Sequence, residues 1–342
     1  MLLMFLMVKL YLLANTYYCN CIMSLRITQH DAGTAYYGHG KLLITGEYFV
    51  LDGAVALSVP TKFGQHLRYR QLHSADNILY WIALDNQGKP WLQFTFDKQN
   101  FDCLNATEEV ASDLSTVLRA ARELNPDFLS DSHDIAVETR LEFPRNWGLG
   151  SSSTLIYCVA TWAGVDGYTL LQKSLRGSGY DVANAGVNSA ILYQLTNHNG
   201  HRTPNTLPVH WQPVFSNNIY FAHLGKKQSS PQAIKHYREQ IQDKTHGVNE
   251  LTRITHAVLK CADLATFEEL INEHELLVGS LLRQMKVKDE LFTDYWGSVK
   301  SLGAWGGDFV MLTNNRSREE ITTYLAERNI TTVLSWNEMV WG

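Results

Sequence analysis

Pro144-Arg145-Asn146-Trp147-Gly148-Leu149-Gly150-Ser151-Ser152-Ser153-Thr154 is the stretch whose reading decides the fold of this 342-residue chain. Two glycines flank Leu149, three serines and a threonine follow, and Leu155 to Ala163 then runs apolar and rich in small residues as far as Gly164. The pattern predicts a glycine turn feeding a mostly buried helix with hydroxyls in its first turn. Helix starts carry free N–H groups and the positive end of the dipole, so this one can cradle phosphate. Glycines let the backbone approach an anion closely, and a serine hydroxyl there can ligate Mg²⁺. The simpler alternative is a serine N-cap after a turn. No Gly-Lys-Ser/Thr follows at the spacing of a Walker loop.

The segments upstream supply the context that such a loop needs. Asp134 to Phe143 alternates as a strand, with Ile135, Val137, Thr139, Leu141 and Phe143 on one face, and leads directly into the glycines. Glu108 to Leu124 has helical spacing in Val110, Leu114, Val117, Leu118, Ala121 and Leu124, and Pro126 follows. Residues 65–101 alternate as antiparallel hairpins, with a turn at Asp85 to Gly88. Nearer the start, Gly40-Lys41 and Gly46-Glu47-Tyr48 break strand-like runs, and Ala54 to Pro60 reads as a buried strand. Lys41, between a glycine and an apolar run, is placed to emerge beside a ligand, although most lysines are simply solvated.

Downstream, Gly177-Ser178-Gly179-Tyr180-Asp181-Val182-Ala183 opens a small-residue helix with Asp181 in its first turn. A carboxylate is favoured there by the dipole, as in any capping role. Residues 207–223 read as two strands, and Ser229-Ser230-Pro231 starts another helix. Leu251–Ala262, Leu264–Met285 and Asp289–Leu302 read as helices. Gly303 to Asp308 turns into a strand, residues 316–329 read as a helix, and residues 330–334 as a last strand. A polar stretch between residues 195 and 206 suggests a division into 23–200 and 201–342.

Composition is that of a globular protein, with 45% hydrophobic and 18% charged residues. A net charge of −5 with no basic cluster gives no nucleic-acid surface. The apolar run Met1 to Ala14 is short and interrupted for a membrane span. As a signal core it lacks a basic start and a clear cleavage site. Residues 1–22 are therefore read as a doubtful leader, with Met23 as the expected start. The five cysteines, Cys19, Cys21, Cys103, Cys158 and Cys261, form neither a disulfide framework nor a metal spacing, and a reducing cytoplasm is expected.

Three glycine-rich stretches in this order resemble the GHMP kinase superfamily, which includes galactokinase, homoserine kinase, mevalonate kinase and phosphomevalonate kinase. Gly40-Lys41 through Gly46-Glu47-Tyr48 resembles the opening motif, with His39 where proline is usual. Gly148-Leu149-Gly150-Ser151-Ser152-Ser153 resembles the phosphate loop. Gly303-Ala304-Trp305-Gly306-Gly307-Asp308 is similar to the closing motif, with Trp305 for a glycine and Asp308 for a small residue. The Gly177 to Ala183 run is most similar to mevalonate-pathway members, phosphomevalonate kinases among them, and to a subgroup carrying Gly-Tyr-Asp-Ile-Ala. Gly225-Lys226-Lys227-Gln228-Ser229-Ser230 is similar, less closely, to their Gly-x-x-Ala-Ser-Thr loop.

The resemblance implies an α+β, two-lobed fold, with an N-terminal ribosomal-protein-S5-like lobe and a C-terminal ferredoxin-like lobe. It implies ATP and Mg²⁺ as cofactors, a small-molecule substrate, no nucleic acid and no membrane, and it allows a homodimer. Gly148, Leu149, Gly150, Ser151, Ser152 and Ser153 would hold the phosphates, with Ser152 on the metal. Asp181 and Lys41 would be catalytic, and Glu47, Tyr48, Ser229, Ser230, Gly306 and Gly307 would meet the acceptor. The reaction would carry the γ-phosphoryl group to mevalonate or phosphomevalonate. A sugar or amino-alcohol kinase, the decarboxylase relative and a non-catalytic nucleotide binder stay open. The Mg²⁺-binding glutamate that mevalonate kinases place shortly before the equivalent of Asp181 has no counterpart in residues 169–178, and Asp166 is the nearest upstream acid. Trp305 reads equally as an acceptor contact or as packing between lobes.

Overall fold

The computed structural model describes residues 34–342 apart from 227–229, 242, 304 and 306. The leader, Ser229 and Gly306 lie outside the described residues, as does the side chain of Ser230.

The first sheet contains β1 (Thr34–Thr45), β2 (Ala56–Gln71), β3 (Ile78–Leu84), β4 (Pro90–Asp97), β5 (Ile135–Leu141), β6 (Ala190–His198) and β7 (His201–Val209). Its order is β4-β3-β5-β2-β6-β7, with β1 paired to β2, and only β3 and β5 run parallel. Helices α1 (Glu108–Leu124), α2 (Ser151–Ala163) and α3 (Gly167–Lys173) share a core with it. A short helix α4 (Tyr180–Ala185) follows.

The second sheet is antiparallel, in the order β11-β8-β10-β9, from β8 (Ile219–His223), β9 (Val299–Ser301), β10 (Phe309–Thr313) and β11 (Val333–Ser335). In chain order this is 4-1-3-2, the ferredoxin-like arrangement expected for the second lobe. Between β8 and β9 run α5 (Ser230–Gln240), α6 (Thr245–Lys260), α7 (Leu264–Leu282) and α8 (Val287–Leu291), and α9 (Arg318–Ala326) precedes β11. One apolar cluster joins the two sheets, taking Leu42, Ile44 and Leu57 from the first and Phe221, Phe309 and Met311 from the second.

Most elements fall where periodicity puts them. Helix α1 spans the expected residues, although Val110 is 67% exposed and Ala111 takes the buried position. Gly164, at φ +65°, caps α2 with its N–H on Ala160 and Thr161.

Two expectations are corrected. Residues 289–302 are not one helix: α8 ends at Leu291 and Val299–Ser301 is a strand. Gly297 packs against the Thr313 carbonyl too closely for a side chain, Ser298 N–H donates to Thr313 Oγ1 (2.7 Å), and pairing with β10 outweighs local helix preference. The polar stretch near residue 200 is the tip of the β6–β7 hairpin, with Asn197 Oδ1 accepting from Gly200 N–H. The chain thus leaves the first sheet after Val209 rather than between residues 200 and 201.

Candidate active site

The site is built where β1 meets the glycine loop. Strand β1 is irregular between His39 and Lys41, and the Lys41 N–H donates to Leu149 O (3.1 Å) of the loop. A Cβ on Gly40 would lie 3.1 Å from that same carbonyl, so glycine permits the approach. Gly148 (φ +68°) and Gly150 (φ +90°) both take left-handed backbone, which reverses the chain from β5 into α2 with Leu149 tucked into the core. The first turn of α2 has no acidic residue and no side-chain cap, so its N–H groups and dipole stay available to an anion. Ser152 is exposed, Ser151 half-buried and Ser153 buried.

The buried serine has a partner. Ser153 Oγ donates a short hydrogen bond to Asp181 Oδ2, and Val182 N–H donates to the other oxygen (3.1 Å). Lys41 Nζ donates to Gly148 O (3.1 Å) and lies 5.8 Å from the centre of the Tyr180 ring. Burial alone would lower the lysine pKa, but Tyr180, Asp181 and Asp308 outweigh it and hold the ammonium above its ordinary value. Burial raises the Tyr180 phenol above its ordinary value, against the lowering pull of Lys41.

Asp308 is the residue whose place sequence reasoning missed, although its departure from the motif was visible. It has φ +52°, and its backbone is fixed on both sides: its N–H donates to Lys226 O (2.7 Å) and its carbonyl accepts from Leu224 N–H (2.8 Å). Its carboxylate lies against Gly148, where any Cβ would overlap it. Tyr180 was likewise missed, and its only signal was adjacency to Asp181.

Glu47 does not sit as expected. It is 1% exposed, paired with Lys300 of β9 and lying 3.0 Å from His274 Nε2 of α7, so its carboxylate is engaged inside the core. Burial opposes its ionisation, but Lys300 and His274 hold its pKa down at about 2. His274 Nε2 also lies 3.2 Å from Gly46 N, and one nitrogen cannot accept from that amide while donating to Glu47.

Tyr48 (φ +62°) stacks on Tyr237 and accepts from Trp305 N–H (3.1 Å) at its hydroxyl, and burial raises that phenol to about 12. Trp305 is 8% exposed, lies in the cluster joining the sheets and packs on Gly279, which favours its packing role. Gly307 is buried just ahead of β10. Asp166 caps α3 through Thr169 N–H (2.7 Å).

Among the described residues no group of three or more His, Cys, Asp and Glu side chains forms a metal cage. Magnesium on a polyphosphate needs only one or two carboxylates besides phosphate and water. The hard oxygens of Ser152, Asp181 and Asp308 around the loop fit that requirement. Among the described residues no helix is long and apolar enough to cross a membrane.

No family model and no curated protein sequence matches the chain. Solved structures do. Methanococcus jannaschii mevalonate kinase is similar at TM-score 0.65 and 15% identity, covering 92% of this chain and 99% of that one. Streptococcus pneumoniae phosphomevalonate kinase, in complex with phosphomevalonate and AMPPNP, is similar at TM-score 0.65 and 15% identity, covering 88% and 99%. Lactococcus lactis galactokinase complexed with galactose is similar at TM-score 0.65 and 11% identity, covering 96% and 98%. The chain has the α+β GHMP kinase fold.

Proposed function

We propose that this chain is an ATP-dependent small-molecule kinase that transfers the γ-phosphoryl group to mevalonate or phosphomevalonate. The observation that carries the reading is the meeting of Ser153, Asp181 and Lys41 at the mouth of the glycine loop. A loop that offers N–H groups, a lysine that stays charged and a carboxylate held beside both is what phosphoryl transfer requires.

In this reading the N–H groups at the start of α2 and the Lys41 ammonium hold the phosphates. The acceptor oxygen, a hydroxyl of mevalonate or a phosphate oxygen of phosphomevalonate, approaches Asp181, which orients it and takes late any proton it carries, as the acceptor O–Pγ bond forms and the bond to the ADP oxygen breaks. The transition state is loose, so a carboxylate beside Lys41 is a sufficient base. Ser153 fixes the Asp181 carboxylate. Mg²⁺, when bound, neutralises phosphate charge, with Ser152 as its expected protein ligand.

Similarity to a phosphomevalonate kinase and to a mevalonate kinase at equal TM-score supports the mevalonate branch. The equal score for a galactokinase supports a sugar acceptor as the second reading. Turnover with Mg·ATP across mevalonate, phosphomevalonate, diphosphomevalonate, galactose and homoserine tests both. Product from mevalonate or phosphomevalonate is expected, and product from galactose alone would transfer the assignment to the second reading.

A further inference from the structure

We propose that His223 is a positioning residue for the nucleotide: neutral, with its proton on Nε2, it holds the entry of the glycine loop in place from the second sheet. The inference rests on the reading of that loop as a nucleotide site. Its physical basis is the pair of backbone groups that the two ring nitrogens face.

His223 is the last residue of β8 and is 7% exposed. The N–H of Gly225 donates to its Nδ1 (3.2 Å), and its Nε2 lies 3.0 Å from the Asn146 carbonyl. An amide N–H only donates and a carbonyl only accepts. Nδ1 must therefore keep its lone pair, and Nε2 must carry the proton. One neutral tautomer satisfies both contacts. Both nitrogens are spent on backbone, so the ring acts as a strut between two chain segments rather than as an acid or base in transfer.

Both ends of the strut are anchored. Asn146 lies in the turn that Trp147 N–H closes on Pro144 O (3.0 Å), two residues ahead of Gly148. The His223 backbone N–H donates to Thr332 O (3.0 Å), and the neighbours of Gly225, Leu224 and Lys226, are bonded to the backbone of residue 308. The ring packs on Phe309, 5.1 Å between centres, and lies 6.4 Å from the centre of the Trp147 ring. From the other side, Lys41 of β1 donates to Gly148 O (3.1 Å). Carbonyls 146 and 148 of one short segment are thus held from opposite sheets. Glycines at 148 and 150 would otherwise leave this segment many conformations. A cradle made of backbone N–H groups needs such fixing, because ordering the loop during binding would be subtracted from affinity.

The test is the affinity of the full chain for AMPPNP with Mg²⁺, by calorimetry, for the wild type, His223→Asn and His223→Gln, with melting temperatures as the check on folding. The asparagine oxygen takes the place of Nδ1 and keeps the Gly225 bond, but its side chain stops short of Asn146. The glutamine amide takes the place of Nε2 and keeps the donor to Asn146. His223→Asn is expected to melt like the wild type and to bind about tenfold more weakly, whereas His223→Gln stays within about threefold. The nitrogen NMR signals of His223, identified by their loss in His223→Gln, should be those of a neutral ring protonated at Nε2. Wild-type affinity in His223→Asn overturns the role of His223, and so does a ring protonated at Nδ1. An equal loss in both variants overturns it too, since affinity would then follow ring packing, and failure of both to fold would make the ring a structural pillar only. Each of these outcomes leaves the nucleotide site standing. No AMPPNP binding by the wild type overturns the nucleotide reading itself, and the proposal with it.

Discussion

The Ser153 hydroxyl donates to Asp181 Oδ2 and so ties the first turn of α2 to the first turn of α4, two helices separated in sequence by the whole of α3. The bond fixes one carboxylate oxygen while the N–H of Val182 holds the other. Ser153→Ala is expected to lower kcat by about tenfold, with AMPPNP affinity nearly unchanged, because an aspartate freed of its anchor is misdirected rather than lost. Turnover and calorimetry on one preparation separate the two effects. A large loss of affinity without loss of kcat would mean that Ser153 serves the nucleotide instead.

Lys41 donates to the loop backbone and lies in the field of both aspartates. Lys41→Met is expected to cost about 10²–10³ in kcat/KM through lost charge stabilisation. Lys41→Arg should not restore it. The ammonium donates to Gly148 O (3.1 Å) as a compact point charge, and a planar guanidinium on a longer side chain does not repeat that placement. Restoration by arginine to within about threefold of the wild type would show that charge alone matters there.

Gly148→Ala forces a side chain into the Asp308 carboxylate on left-handed backbone. A loss of about 1–3 kcal/mol in unfolding free energy is expected. In an Asp308→Gly background the collision disappears and only the backbone strain is left, so the cost of Gly148→Ala should fall measurably. Denaturant titration of the four proteins in the cycle measures the coupling, and additive losses would contradict the contact.

The buried Glu47–Lys300 pair links the opening motif to β9. Lys300→Met leaves the Glu47 carboxylate with His274 alone and is expected to destabilise by about 3 kcal/mol, with a smaller loss in the Glu47→Gln/Lys300→Met double variant. The sign with pH follows from the depressed pKa. Glu47 ionises at about 2 when folded against an ordinary 4.5, so its contribution is complete above 4.5 and is lost as pH falls towards 2. The melting temperature of Glu47→Gln should therefore decline less steeply than that of the wild type over that window. Parallel curves would remove Glu47 from the acid response.

What the sequence makes legible here is whatever is local. Helix α1 could be read because residues three and four apart share a face, and the glycine loop because left-handed turns need glycine. Segment 289–302 could not, because its strand exists only through pairing with β10. The hairpin tip at Asn199 and Gly200 looks like any polar boundary until β6 and β7 are seen to pair across it. Asp181 and Lys41 were visible as motif positions, whereas their link through Ser153, Gly148 and Asp308 joins residues more than a hundred apart in places. Glu47 misled for the same reason: its partners Lys300 and His274 come from the second half of the chain, where no local pattern announces them.

The central claim, that Asp181 serves the acceptor oxygen in phosphoryl transfer, is tested most directly by comparing wild type and Asp181→Asn with Mg·ATP and the acceptor that the substrate panel identifies. Loss of transfer by about 10³-fold, with AMPPNP affinity within about threefold of the wild type, is the expected result. Transfer by Asp181→Asn at the wild-type rate would contradict it.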